Sequence, residues 1–170
     1  MQDDQGPTHA WLTSGLTVHR AVLDAIDAQS LAEYPSEACG FITGPAAQPL
    51  VIDRAIAAVN LADKYHKVDP ETFPRTSREY YTIDARLIQR TFEQGERDGQ
   101  PVKVIYHSHC DCGAYFSQTD QDAAAPDGQL AYPVAYLVTS VMEGKIAERQ
   151  LFAFIDSAWQ AVPLSVRESL

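Results

Sequence analysis

The chain has 170 residues, the length of a single domain, which is long enough to bury a hydrophobic core. Hydrophobic residues make up 45% and charged residues 21%, ordinary values for a globular protein, which excludes disorder throughout. With 23 acidic residues against 13 Lys and Arg, the net charge is −10, which disfavours nucleic acid as a partner.

Several features of the sequence indicate the cellular compartment of the protein. The chain contains no run of about 18 apolar residues, so we expect no membrane span. The N-terminus lacks the basic and apolar regions of an export signal. The 3 cysteines are an odd number without framework spacing, which favours free thiols in a reducing compartment. We therefore expect a cytoplasmic protein.

The first part of the chain predicts a strand followed by a helix. Residues 1–10 are polar and are expected to form a flexible tail ahead of a single domain over 11–170. Trp11–Val18 predicts a short strand. Apolar residues then recur at helical spacing over Ala21–Ala28, and this helix should end before Pro35.

The next segments predict two strands and a long loop. Cys39–Thr43 is a compact apolar run typical of a buried strand, and Pro49–Ala58 predicts a second strand after a turn at Gly44-Pro45. The polar stretch Asn60–Tyr80 has no clear period, so a functional loop is expected there.

The remaining elements complete a mixed α/β pattern. Asp84 is a suitable N-cap for a helix through about Gln94, with Gly95 and Gly99 after it. Val102–Tyr106 predicts a strand leading into His107, and Ser117 begins another helix. Further strands are predicted at 134–141, 145–155 and 159–164, the first two joined by a turn at Glu143-Gly144. This order predicts a central mixed β-sheet flanked by helices.

The segment that indicates chemistry is His107-Ser108-His109, followed by Ser117 and Asp120. Side chains alternate along a strand, so both imidazoles face the same side and can chelate zinc. A loop can bring Asp120 to them as a third ligand, which leaves one position open for chemistry. Ser117-x-x-Asp120 is equally a helix-capping pattern, and the two interpretations are compatible.

His-x-His-x7-Ser-x2-Asp resembles the signature of the JAMM (MPN-plus) zinc metalloproteases. The glutamate that this family needs far upstream is supplied by Glu37, in the block Pro35–Phe41, which resembles the start of the bacterial Mec-type members. The resemblance extends over about Val18–Ile155. It implies the JAMM/MPN fold, which is cytidine-deaminase-like.

The resemblance also implies a role for each residue. His107, His109 and Asp120 would hold Zn²⁺, Glu37 would act as general base and then acid, and Ser117 would stabilise the oxyanion. Mec-type enzymes trim the C-terminus of small ubiquitin-like sulfur-carrier proteins after Gly-Gly. We therefore expect a zinc peptidase of sulfur and cysteine metabolism, with a carrier protein as its substrate partner; a homodimer is left open.

Other functions share part of this pattern. A deubiquitinase-like isopeptidase would use the same zinc chemistry on a different leaving amine. A non-catalytic MPN scaffold would lack some of the polar positions, whereas all five are present here. A nucleobase deaminase needs His-x-Glu and Pro-Cys-x-x-Cys, and the chain has neither.

Two loops have no role assigned by the JAMM motif itself. Cys110 stands where family members commonly have proline, and Cys112 follows it; we expect loop packing, with redox tuning or substrate contact as the alternative. The position of the Asn60–Tyr80 loop resembles the first variable insertion of the family, so this loop is expected to contribute to substrate binding, and trimming residues 64–76 should weaken it. His66, within this loop, is expected to be a solvated loop histidine.

Overall fold

A computed structural model of the chain describes residues 9–168. The tail predicted over 1–10 lies outside this range except for His9 and Ala10, and Ala10 begins a short 3₁₀ helix, Ala10–Leu12. Among the described residues, no helix has the length and apolar character needed to cross a membrane.

The structure contains helices on both sides of a large sheet. The α-helices are α1 (Arg20–Glu33), α2 (Ala62–Val68), α3 (Ala85–Arg97) and α4 (Gln118–Ala124). The strands are β1 (Leu16–His19), β2 (Cys39–Thr43), β3 (Val51–Ile52), β4 (Arg54–Ala58), β5 (Val102–Cys110), β6 (Ala135–Met142), β7 (Lys145–Ile155), β8 (Ala158–Val162) and β9 (Leu164–Arg167).

The main sheet has six strands in the order β4-β2-β5-β6-β7-β8. Only β5 and β6 run parallel, and every other neighbouring pair in this sheet is antiparallel. A second sheet, β3-β1-β9, is entirely parallel. The mixed sheet with its flanking helices confirms the predicted fold class.

Strand β5 lies between two hydrophobic clusters. Val104 and Tyr106 pack on one face with the apolar side of α1, while Ile105 packs on the other face near Phe41 and the partly buried apolar side chains of α3. All nine residues of β5 are buried. Packing on both faces therefore holds β5 in place, including the end that carries His107 and His109.

Several predicted elements are confirmed at or near their expected bounds. α1 ends before Pro35, and β2 and β7 have the predicted ranges. Glu143 and Gly144 have φ values of 51° and 76°, as the tight turn of a two-residue hairpin requires. Ser117 is the N-cap of α4 and Asp84 that of α3.

Two predicted strands are in fact each split between the sheets. Pro49–Ala58 forms β3 and β4, and the segment predicted at 159–164 forms β8 and the start of β9, with Pro163 between them. The strand predicted over Trp11–Val18 begins only at Leu16, because the preceding turn directs the Trp11 indole N–H to the carbonyl of Pro133, at 2.9 Å. Each difference depends on a partner distant in sequence.

The helices also differ from the predictions in two places. The segment predicted as a loop over Asn60–Tyr80 contains α2. α3 continues past Gly95 to Arg97, since Gly95 serves close packing: a Cβ there would lie 2.6 Å from the Gln100 carbonyl oxygen. Gly99, with φ of 65°, follows the end of the helix.

Lys103, on β5, is fully buried and anchors the segment between β2 and β3. Its Nζ donates to the backbone carbonyls of Pro45, Gln48 and Val51 at 2.8 to 2.9 Å, and it lies 5.4 Å from the centre of the Trp11 ring. Buried carbonyls need such partners, because an unpaired buried polar group is costly.

Lys103→Met keeps the length of the side chain but removes the three donors. We expect the free energy of unfolding to fall by about 3 kcal/mol, measured by urea denaturation. Lys145→Met, at an exposed position of β7, is the control and should change stability by less than about 0.5 kcal/mol. Equal stability of the two variants would contradict the anchoring role.

Candidate metal centre

The end of β5 places two imidazoles side by side. His107 and His109 lie two residues apart on the strand, and their Nε2 atoms are 3.2 Å from each other. His107 is fully buried and His109 nearly so. The structure therefore brings these two predicted residues together on one face.

Helix α4 brings Asp120 to the same point. Its Oδ2 lies 3.1 Å from Nε2 of His107 and 3.3 Å from Nε2 of His109. A capping box fixes the start of the helix: the Asp120 backbone N–H donates to Ser117 Oγ at 3.0 Å, and the Ser117 backbone N–H donates to Asp120 Oδ2 at 3.2 Å. The cap that begins the helix thus also orients the carboxylate.

The three facing atoms form a triangle with edges of 3.1, 3.2 and 3.3 Å. A tetrahedral zinc ion with bonds of about 2.0–2.1 Å requires ligand atoms about 3.3–3.4 Å apart. Two nitrogens and one carboxylate oxygen are also donors that zinc accepts at catalytic sites. The residues present therefore fit a zinc ion after a small expansion of the triangle.

The two imidazoles are held by different contacts. Nδ1 of His109 is 2.8 Å from the carbonyl oxygen of Gly113, which requires the N–H at Nδ1 and leaves the Nε2 lone pair facing the triangle. The ring of His107 stacks on Tyr81, with centroids 4.5 Å apart. Nδ1 of His107 has no hydrogen-bond partner within residues 9–168. Hydrogen bonding orients one ring, and packing orients the other.

The electrostatics of the triangle favour metal binding. Burial lowers the pKa of His107 below its ordinary value, which keeps the ring neutral and able to act as a ligand. Burial alone would raise the pKa of Asp120, but the imidazoles of His107 and His109 outweigh it and hold that pKa well below its usual range. The site therefore offers a neutral nitrogen on His107 and an ionised carboxylate on Asp120.

Glu37 reaches the same place from the segment before β2. Its carboxylate lies within 4.8 Å of ring nitrogens of both His107 and His109, and only 4% of the residue is exposed. Its backbone N–H donates to the Ser77 carbonyl at 2.6 Å, and its carbonyl accepts from Asn60 Nδ2 at 2.9 Å. Two sets of three ligands thus share the histidines, one with Asp120 and one with Glu37.

The protonation of Glu37 depends on the charge in the site. Burial, together with the neighbouring carboxylates of Asp120 and Glu79, raises the pKa of Glu37 to about 9. A bound dication would oppose this shift, because it favours the ionised carboxylate. Glu37 is therefore a group whose proton affinity responds to metal binding.

Sequence reasoning missed the residues that hold Glu37 against β5. Ser108, between the two histidines, accepts the Ala38 backbone N–H on its Oγ at 2.7 Å, and its own N–H donates to the Ala38 carbonyl at 2.9 Å. Tyr81, Asn60 and Ser77 come from the segment interpreted as a loop and its edge. No short-range pattern marks these residues, since each acts through a partner far away in sequence.

The cysteine loop is closely tied to its surroundings. Cys110 is buried, which raises the pKa of its thiol to about 12, and burial also raises the pKa of Cys112. Asp111, between them, accepts hydrogen bonds from the Tyr34 hydroxyl and the Glu143 backbone N–H. Both thiols stay protonated near neutral pH, an arrangement in keeping with loop packing.

The segment 64–76 borders a groove beside the metal centre. The groove has a volume of about 290 Å³ and is lined by Tyr65, Phe73, Pro74, Arg75, Tyr80 and Thr119, among others. Thr119 directly precedes Asp120 on α4, so the groove adjoins the triangle. His66 lies on α2 with its Nδ1 2.8 Å from the carbonyl oxygen of Phe73, away from the ligand set.

Comparisons with known proteins agree with this geometry. Residues 19–154 match the family of prokaryotic homologs of the JAB domain. The CysO-cysteine peptidase of Mycobacterium tuberculosis is 25% identical over 154 residues, which are 90% of this chain and 92% of that protein.

Two solved structures show the same fold. A protein from Desulfitobacterium hafniense has a TM-score of 0.68 at 21% identity, covering 91% of this chain and 94% of that one. A JAB1/MPN domain protein from Archaeoglobus fulgidus has a TM-score of 0.55 at 14% identity, covering 91% and 99%.

The two ligand sets predict different metal contents for variants of the acidic residues. If Asp120 completes the set, Asp120→Asn should purify with far less zinc than wild type, as measured by atomic emission. Asp122→Asn removes an exposed acid of the same helix and should keep near-stoichiometric zinc. Full zinc occupancy in Asp120→Asn would instead favour the set that contains Glu37.

Proposed function

The chain belongs to the family of prokaryotic homologs of the JAB domain. On that premise we propose that it is a zinc-dependent peptidase that hydrolyses the bond after the C-terminal Gly-Gly of a ubiquitin-like sulfur-carrier protein. The observation that carries the proposal is the buried triangle of His107, His109 and Asp120, with the carboxylate of Glu37 beside it.

Zinc, when bound at the triangle, would act as a Lewis acid that polarises the scissile carbonyl and brings the pKa of a water near 7. In this proposal the carboxylate of Glu37 accepts the proton of the attacking water. It then delivers that proton to the leaving amine, so one side chain serves as base and as acid. Its burial supports this role. Desolvation raises the pKa of the carboxyl group and a nearby dication lowers it, so the two effects oppose each other.

Ser117 supplies a hydroxyl at the mouth of the site. A hydroxyl has one donor and two acceptor lone pairs, and the Asp120 backbone N–H occupies only one acceptor position. The hydroxyl proton therefore remains free to donate to the oxyanion that develops on the scissile carbonyl. The capping box holds this donor in place before the substrate arrives.

The substrate class rests on the relative and on the shape of the site. The Mycobacterium tuberculosis protein, named a CysO-cysteine peptidase, matches along 90% of this chain. The groove bordered by Tyr65 and Phe73 gives an extended peptide a path toward α4. Both features support an extended peptide tail as the substrate.

The direct test is the intact mass of ubiquitin-like carrier proteins that end in Gly-Gly plus a short extension. Zinc-loaded wild type should remove the extension, whereas Glu37→Gln should lower kcat by at least about 10²-fold and keep its zinc. Glu93→Gln removes an exposed acid of α3; it is the matched control and should cleave at the wild-type rate.

Each result of this test has a defined meaning. Failure of the zinc-loaded wild type to cleave any extended carrier would contradict the proposed substrate. Loss of zinc in Glu37→Gln would make Glu37 a ligand and not the proton carrier. A parallel arm with the carrier joined to a lysine side chain measures isopeptide cleavage.

The groove predicts a separate effect on substrate binding. Phe73 packs on Tyr65, with ring centroids 5.2 Å apart, and forms part of the groove wall. Phe73→Ala should raise KM severalfold while kcat and zinc content stay near wild type. Val68→Ala, on the same segment but outside the groove and 78% exposed, should leave KM unchanged; an equal rise in both variants would count against the groove.

A further inference from the structure

A second groove lies at the end of the main sheet opposite the metal centre. It has a volume of about 350 Å³ and runs between β4 and the C-terminal half of α3. Six of its lining residues are Thr43, Arg54, Arg90, Arg97, Asp98 and Gln100. We refer to it as the arginine groove. Its size lies within the range of about 300–1,000 Å³ typical of small-molecule sites.

The strand register separates this groove from the metal centre. On β2, Cys39 pairs with His107 of β5, while Thr43, four residues on, pairs with Val102. At about 3.3 Å per residue, the two ends of β2 are about 13 Å apart. A ligand in the arginine groove would therefore not touch the metal ligands.

Three arginines line the groove from two elements. Arg90 and Arg97 are seven residues apart on α3, about two turns, so both project from the same side of the helix. Arg54 begins β4 and pairs directly with Thr43, so their side chains share a face of the sheet. Within residues 9–168, none of the three arginines forms an ion pair.

This concentration of positive charge contrasts with a chain whose net charge is −10. Asp98 is the one carboxylate among the lining residues, and its Oδ1 accepts a hydrogen bond from Gln94 Nε2 at 2.9 Å. The local balance is three cations against one anion. Guanidinium groups form paired hydrogen bonds with phosphate oxygens, which makes an oxyanion the complementary ligand.

We propose that the arginine groove binds a small phosphorylated molecule. Arg54, Arg90 and Arg97 contact the phosphate oxygens. A phosphate group suits three guanidinium forks better than a carboxylate, since it offers more oxygens and about two negative charges. The overall negative charge of the chain argues against a nucleic acid as the source of the phosphate.

Titration calorimetry of the zinc-loaded full chain with inorganic phosphate, pyrophosphate and ADP tests the proposal at fixed ionic strength. We expect saturable 1:1 binding of pyrophosphate or ADP, weakened about tenfold by Arg90→Gln. Arg86→Gln removes the same charge from an exposed position of α3 outside the groove and should change the affinity by less than twofold. Tighter binding of ADP than of pyrophosphate would show that the nucleoside contributes.

The proposal is overturned if no probe binds saturably or if Arg86→Gln weakens binding as much as Arg90→Gln. Binding that survives Arg90→Gln but is lost in His109→Ala would place the phosphate at the metal centre and also overturn it.

Discussion

The arrangement of the site depends on the antiparallel pairing of β2 with β5. Cys39 lies opposite His107, and the ladder continues through the two hydrogen bonds between Ala38 and Ser108. This register brings Glu37, just before β2, to the end of the strand that carries the histidines. A slip of one residue would turn every side chain to the opposite face. At Gly40 a Cβ would lie 2.5 Å from the Tyr106 hydroxyl oxygen, so close packing also excludes other residues from this ladder.

The parts of the structure that follow from local rules could be predicted from the sequence. Alternation along a strand is enough to place His107 and His109 on one side, and the Ser117-x-x-Asp120 pattern is enough to begin α4. α1 and the hairpin at Glu143-Gly144 follow from helical spacing and turn geometry in the same way. In each case the interacting groups lie within a few residues of one another.

The features that the sequence did not predict depend on contacts between residues distant in sequence. Nothing near Val51 indicates that β3 joins β1 while β4 joins β2. The contacts of Ser108 with Ala38, and the stacking of Tyr81 on His107, are equally invisible in a short window. The arginine groove is another example, because Arg54 and Arg90 are brought together only by the packing of α3 beside β4. Long-range pairing, and not local preference, decides such features.

The candidate metal ligands lie on elements that differ in burial. β5 is buried along all nine residues, so exposing His107 and His109 requires disruption of the sheet itself. Asp120 stands on α4, a helix of only seven residues that buries two of them. Amide protons of β5 should therefore exchange with solvent only through global unfolding, whereas those of α4 can exchange through local opening. If a metal binds at this candidate site, its loss would begin with release of the Asp120 carboxylate, and His107 and His109 would stay in place to rebind it.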